Sequence, residues 1–441
     1  MNKTFTNPKP EPTFLIRWSV LLLISLAMFG NYYIYDCISP LADVLKEQLK
    51  FSDSNIGLLQ AIYSFPNIIM VLVGGIIIDK FGTRISVAAF TSLIFFGAAI
   101  TAISSNLYIM ASGRLVFGLG AESMIVAITT IIARWFKGKE LSLAFGLNLT
   151  VARLGSFLAL NSPTWAREYF VYWQKPLLIS VAAGVFAVTF IILYYFLDKY
   201  ASANYELPKE GAQDKIEFSE IFKFSAPFWF ISALCVTFYS AIFPFQTFAV
   251  KFFQDVHSTT REVGGNLSSL LTLAAMFFTP LFGLLADKIG KRSYLMMFGS
   301  LLIVPVYLLM AYKINFGITG MWSINIDFID VHSDIPKYLM IPMSMMGIAF
   351  SLVPAVMWPY VSLVVPEKKL GTAYGLMTMI QNIGLFFFNL LIGWANDSQQ
   401  AGAQNPGGYI YGMWIFSILG FAGLIFAILL RISEKHLNKE L

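Results

Sequence analysis

Twelve apolar stretches, each long enough to cross a bilayer, are what any fold of this chain has to accommodate. They lie near 14–38, 53–79, 84–104, 107–136, 140–162, 174–198, 224–253, 261–287, 292–313, 336–365, 369–397 and 408–432. About 20 apolar residues span roughly 30 Å of hydrocarbon, and inside it a backbone must satisfy its own polar groups, which makes each stretch a helix. The remaining composition agrees: 12% of the residues are charged, against about 25% in a soluble domain, so a soluble enzyme is excluded. The first stretch is too long for a signal-peptide core and has no small-residue cleavage site, so it is expected to stay as an anchor. The expected fold is an all-α membrane protein.

Lysine and arginine set its orientation. With the N-terminus inside, 20 of the 30 fall on cytoplasmic segments and 8 on outer ones, while Arg114 and Arg153 lie within spans. Both termini are therefore expected in the cytoplasm. The polar stretch 199–223 is the longest charged connector, which predicts a six-helix bundle over 1–198, a linker over 199–223 and a second six-helix bundle over 224–441.

The two halves repeat one another. Gly75-Ile-Ile-Ile-Asp79-Lys80-Phe-Gly82-Thr-Arg84 recurs 208 residues later as Gly283-Leu-Leu-Ala-Asp287-Lys288-Ile-Gly290-Lys291-Arg292. Leu141–Leu147 aligns with Leu370–Leu376 at a displacement of 229, the extra residues falling in the long outer loop 314–335. Parallel six-span repeats carrying this loop resemble the major facilitator superfamily. Two readings of the loops stand. Their glycines would let helices approach closely while Asp79 and Asp287 pair with cations across the halves and latch one state; or Lys80, Arg84, Lys288 and Arg292 serve only topology.

An ionisable side chain deep in a membrane costs several kcal/mol, so each is a functional candidate. Glu122 on the fourth span and Arg153 on the fifth are expected near mid-membrane. They could bind each other and fasten the helices, or clamp a zwitterion, with Glu122 on an ammonium and Arg153 on a carboxylate. Two residues of extended peptide, about 7 Å, would fit that reach. The 229 displacement sets Ser351 against Glu122 and Asn382 against Arg153. With Tyr239, Trp358, Tyr374 and Gln381, these give the second half polar and aromatic walls without charge. Asp36, at the outer end of the first span, and Arg114 are gate or scaffold candidates. No span contains a histidine, and no nucleotide-binding glycine loop is present, so neither a metal, a cofactor, a nucleotide nor a nucleic acid is expected.

Further strings sharpen the resemblance: Gly113-Arg114-Leu-Val-Phe-Gly118-Leu-Gly120-Ala-Glu122-Ser123, Trp135-Phe-Lys137-Gly138-Lys139-Glu140-Leu141, Ala152-Arg153-Leu-Gly155-Ser156, Phe243-Pro244-Phe245, Trp358-Pro359 and Ile380-Gln381-Asn382. These resemble the lysosomal dipeptide transporter branch of the superfamily. That resemblance implies a uniporter, with the clamp on Glu122 and Arg153, and an accessory glycoprotein partner. The tail 1–13 lacks an acidic dileucine sorting signal and the loop 314–335 is long for the branch, which shifts the expectation to a monomer in a cell inner membrane. The rivals are a proton-coupled symporter of amino acids, peptides or organic anions, with Glu122 titrating, and a non-transporting receptor on the same fold.

Overall fold

A computed structural model describes residues 9–136, 139–207, 224–326, 331–366 and 369–440. Lys137, Gly138 and most of the expected linker, 208–223, lie outside the described residues.

Hydroxyl caps start several of the helices. Thr13 caps α1 (Phe14–Asp36) by accepting from the Ile16 amide, Ser52 caps α3 (Asp53–Phe81), and Thr260 caps α10 (Arg261–Ile289); each satisfies one of the amides a helix leaves unpaired. The repeated loops end α3 and α10 the same way, at Gly82 (φ 79°) and Gly290 (φ 68°), conformations that a β-carbon would strain. Between these come α2 (Ala42–Leu49), α4 (Thr83–Ile103), α5 (Leu107–Phe136), α6 (Leu141–Leu160), the short α7 (Ser162–Trp165), α8 (Gln174–Asn204) and α9 (Ala226–His257). Past α10 follow α11 (Arg292–Ala311), α12 (Met340–Val364), α13 (Leu370–Ser398) and α14 (Tyr409–Glu440). Among the described residues, twelve spans, the first running through α1 and α2, are long and apolar enough to cross a membrane.

Among the described residues, one sheet departs from the all-helical pattern. Between α11 and α12, β1 (Met321–Ile326) and β2 (Val331–Pro336) pair as an antiparallel hairpin, with Trp322 opposite Ile335. Ile335 is buried against the helical core, so the hairpin is rooted in it.

Close approach occurs at Gly74, beside the repeated loop, and not at Gly283 within its second copy. A β-carbon on Gly283 would meet nothing within 4 Å, whereas one on Gly74 would lie 2.5 Å from the Ser123 hydroxyl of α5. α3 and α5 are therefore in tight contact, reinforced by the Ser123 hydroxyl donating to the Met70 carbonyl at 3.1 Å.

Hydrogen bonds and ion pairs join the first six spans to the last six at one end of the bundle. Asp397 of α13 accepts from the amides of Asp53 and Ser54 at 2.8 and 2.7 Å, an anion on the positive N-terminus of α3. Lys251 of α9 reaches Asp53 at 3.0 Å, Asp255 at 3.3 Å and the Tyr409 hydroxyl at 2.5 Å, while Lys46 holds the other Asp53 oxygen at 3.0 Å. Arg261 pairs with Asp43 at 2.6 Å. Backbone contact lets these charges meet: a β-carbon on Gly57 would sit 2.4 Å from the Asn389 carbonyl, and one on Gly393 2.5 Å from that of Asp53. We call this the sealed end; the repeated loops lie at the other, the loop end.

Candidate functional site

α6 approaches α1 closely at Gly155, and the same packing carries Arg153 inward. Its guanidinium lies 5.6 Å over the Tyr32 ring of α1 and 5.3 Å over the Phe350 ring of α12, contacts that touch both halves of the chain. Rings hold such a cation by its face and leave the planar fork available to a carboxylate. Glu122 of α5 accepts a hydrogen bond from the Tyr63 hydroxyl of α3 at 3.1 Å. Among the described residues no ion pair joins Glu122 to Arg153, yet both line one cavity of about 270 Å³. That is just below the usual range for small-molecule sites, about 300–1,000 Å³.

Tyr239, Trp358 and Gln381 complete the expected part of the wall, with Tyr32, Tyr35, Tyr63, Ser156, Phe243 and Thr378 added by the fold. Trp358 donates its indole N–H to the Tyr239 hydroxyl at 3.0 Å, and Tyr239 stacks on Phe243 with centroids 5.5 Å apart. Toward the sealed end, the Phe243 ring meets the Tyr35 ring edge-on at 6.3 Å across the halves. Three expected wall residues stand outside the lining. Ser351 spends its hydroxyl on the Gly347 carbonyl of its own helix, Asn382 donates to the Thr378 carbonyl one turn back, and Tyr374 donates to the Trp358 carbonyl behind the wall.

The structure also changes the place of Asp36. Hydropathy set it at a watery helix end, but it is buried and lines the cavity, where the charges of Arg153 and Arg114 act on it. The chain bends into α2 after Asp36, so the helix end lies inside the protein. Arg114 is a fastener. Only 1% exposed, it donates to the carbonyls of Leu59, Ile34 and Tyr35 at 3.1, 2.9 and 3.2 Å and to the Gln60 side chain at 2.8 Å. Ile34 and Tyr35 supply last-turn carbonyls of α1, the negative end of that helix.

At the loop end, Arg84 pairs with Asp198 at 2.6 Å and Arg292 with Asp287 at 2.7 Å, each within its own half. Gly75 is buried within α3, and Lys80 and Lys288 are exposed. Asp198 on α8 and Glu434 on α14 escaped the sequence reading. Each closes the last span of its half and gathers donors: Arg84 and the Trp135 indole for Asp198, Ser293, Tyr360 and Arg431 for Glu434. Their signal was positional, an acid at the end of the sixth span of each repeat.

Comparison with known proteins agrees with this architecture. The profile of the Major Facilitator Superfamily matches residues 24–260 and 245–441. A protein named lysosomal dipeptide transporter MFSD1 from Danio rerio is 30% identical over 412 residues, covering 88% of this chain and 82% of its own length. Its namesake from Homo sapiens is 30% identical over 400 residues, covering 87% and 80%. Among solved structures, a bacterial homologue of the human lysosomal transporter Spinster, inward-facing and occupied, superposes with a TM-score of 0.71 at 14% identity, covering 95% of this chain and 98% of its own. The nucleoside transporter NupG gives 0.69 at 15% identity, covering 95% and 99%. These relatives are transporters and not enzymes, and the chain, a multi-pass membrane protein, belongs to the major facilitator superfamily.

Proposed function

We propose that the chain carries dipeptides across a membrane by facilitated diffusion, alternating which end of the bundle is closed. The observation that carries this reading is the pair of opposite charges, Glu122 and Arg153, which face one small cavity with no ion pair between them among the described residues. A zwitterion would satisfy both at once, the ammonium on Glu122 and the carboxylate on the Arg153 fork, with the Trp358–Tyr239–Phe243 wall against the side chains. The relatives' name supports a dipeptide over other zwitterions.

In this reading the sealed end is the outer one and the loop end, with both chain termini, faces the cytoplasm. Asp79 and Asp287 then change partners when the loop end closes. The chain is taken as a monomer in a cell membrane, whereas the relatives are named for lysosomes; microscopy of a tagged chain decides between them.

Binding by the quench of intrinsic tryptophan fluorescence tests the clamp. Free dipeptides should bind, and N-acetylated or C-amidated ones should bind at least about tenfold more weakly, a difference of roughly 1.4 kcal/mol per lost contact. Equal affinity for blocked and free peptides would remove the clamp.

A second reading has one observation in its favour. Asp36 places another carboxylate in the same cavity, beside the Arg153 charge, and a group that trades a proton against substrate is what a symporter needs. Imposed pH gradients separate the two readings.

A further inference from the structure

Another cavity, of about 540 Å³, lies at the loop end, away from the clamp. Its walls are the end of α10, the loop at Gly290 and Lys291, the first turn of α11, and facing turns of α12 and α14. Anions already occupy part of it. The Glu434 carboxylate accepts from Ser293 at 2.7 Å, Tyr360 at 2.6 Å and Arg431 at 3.0 Å, and Asp287 accepts from Arg292 at 2.7 Å. The donor set is thus one that recognises oxyanions, and the protein's own carboxylates balance two of its cations.

One cation is left over. Lys291, Arg292 and Arg431 stand against Asp287 and Glu434, three charges against two, a net of one positive charge. Lys291 is exposed and, among the described residues, its ammonium has no hydrogen bond or ion pair. Arg431 lies 4.7 Å over the Tyr294 ring, and its Nε is buried with no hydrogen-bond partner among the described residues. α11 starts at this wall with no side-chain cap, which adds the partial positive charge of its free amides.

The rim separates two sources of such an anion. Leu363, 63% exposed, lines the cavity, and α10, whose end forms one wall, exposes Leu284 and Ile289. A soluble phosphate gains nothing from that apolar border. A phospholipid does, because its glycerol and first methylenes rest on it while the headgroup enters. The loop joins the ends of two spans, which is the level at which a bilayer carries its phosphates.

We propose that this cavity binds the phosphodiester of an anionic phospholipid, with Lys291 as the free donor and the Arg431 charge beside it. One monoanionic phosphodiester cancels the leftover charge. The site is independent of the substrate clamp and stands whether or not the dipeptide reading holds.

Native mass spectrometry of the full chain, released from mixed micelles holding equal phosphatidylglycerol and phosphatidylcholine, reads lipid retention directly. Wild type should keep phosphatidylglycerol in preference by about fivefold or more, the gain expected for one lysine near an anionic headgroup. Lys291→Gln, at an exposed position that leaves packing intact, should abolish most of that preference, and Lys291→Gln with Arg431→Gln should abolish the rest. Lys50→Gln, an exposed lysine at the sealed end, should retain it. Equal retention of the two lipids by wild type, or the same loss in Lys50→Gln as in Lys291→Gln, would overturn the site. Millimolar inorganic phosphate should leave retention unchanged; displacement of the lipid by phosphate alone would overturn its assignment to a lipid.

Discussion

Arg114 and Arg153 show how one residue type does opposite work in neighbouring spans of the same half. Arg114 has its donors filled by carbonyls and an amide of α1 and α3, so it fastens three spans; Arg153 lies between rings, and among the described residues its fork has no hydrogen bond or ion pair. Replacing Arg114 with Leu strands those acceptors in the interior at about 1–3 kcal/mol each. The expected outcome is a melting temperature lowered by several degrees in detergent, with no change in peptide affinity of the surviving folded fraction. An unchanged melting temperature with lost binding would move Arg114 into the site. The distinction could not be read from the sequence, where both are lone arginines in apolar spans. Glu122 and Arg153 were legible because a charge in such a span stands out. Asp36 was not, because hydropathy locates a helix end but not whether α2 and the neighbouring helices then cover it.

The seal is a property of elements: α3 against α13, α6 against α10, and α9 reaching α3 through Lys251 and its acids. Asp53 and Lys251 are 0% and 3% exposed. Breaking a buried pair by removing one partner costs about 3–5 kcal/mol in the state that buries it, and about 1.4 kcal/mol already shifts a two-state ratio tenfold. Lys251→Met should therefore release the sealed end, seen as longer spin-label distances between α3 and α13 in double electron–electron resonance. Asp287→Asn acts at the other end; with the loop-end latch weakened, the sealed population should rise. Both variants moving the same way, or neither moving, would refute the two-ended account. The spans themselves were legible from hydropathy, and the repeat from its loops. The hairpin was not, since alternation over six residues in a connecting loop carries no membrane constraint to mark it.

For the whole molecule, energy coupling decides between the two readings of the cavity. The empty carrier holds Glu122 through the Tyr63 hydroxyl, and a loaded one would hold it through an ammonium, so neither state requires a proton on it. Facilitated diffusion then predicts that an imposed pH gradient drives no accumulation above the outside concentration, and that a pH dye inside the vesicle stays flat during uptake. Concentrative uptake that lowers the internal pH would favour the symport reading, with Asp36 the first residue to test. Translocation requires Glu122 and Arg153 to act together. The most direct measurement is counterflow of labelled dipeptide in proteoliposomes carrying wild type, Glu122→Gln or Arg153→Ala. Losing one partner of a desolvated charge pair costs about 2–5 kcal/mol, so wild type should exchange label and each variant should lose most of that exchange at the same protein density. Undiminished counterflow in either variant, or none in wild type that binds dipeptide, would contradict the account.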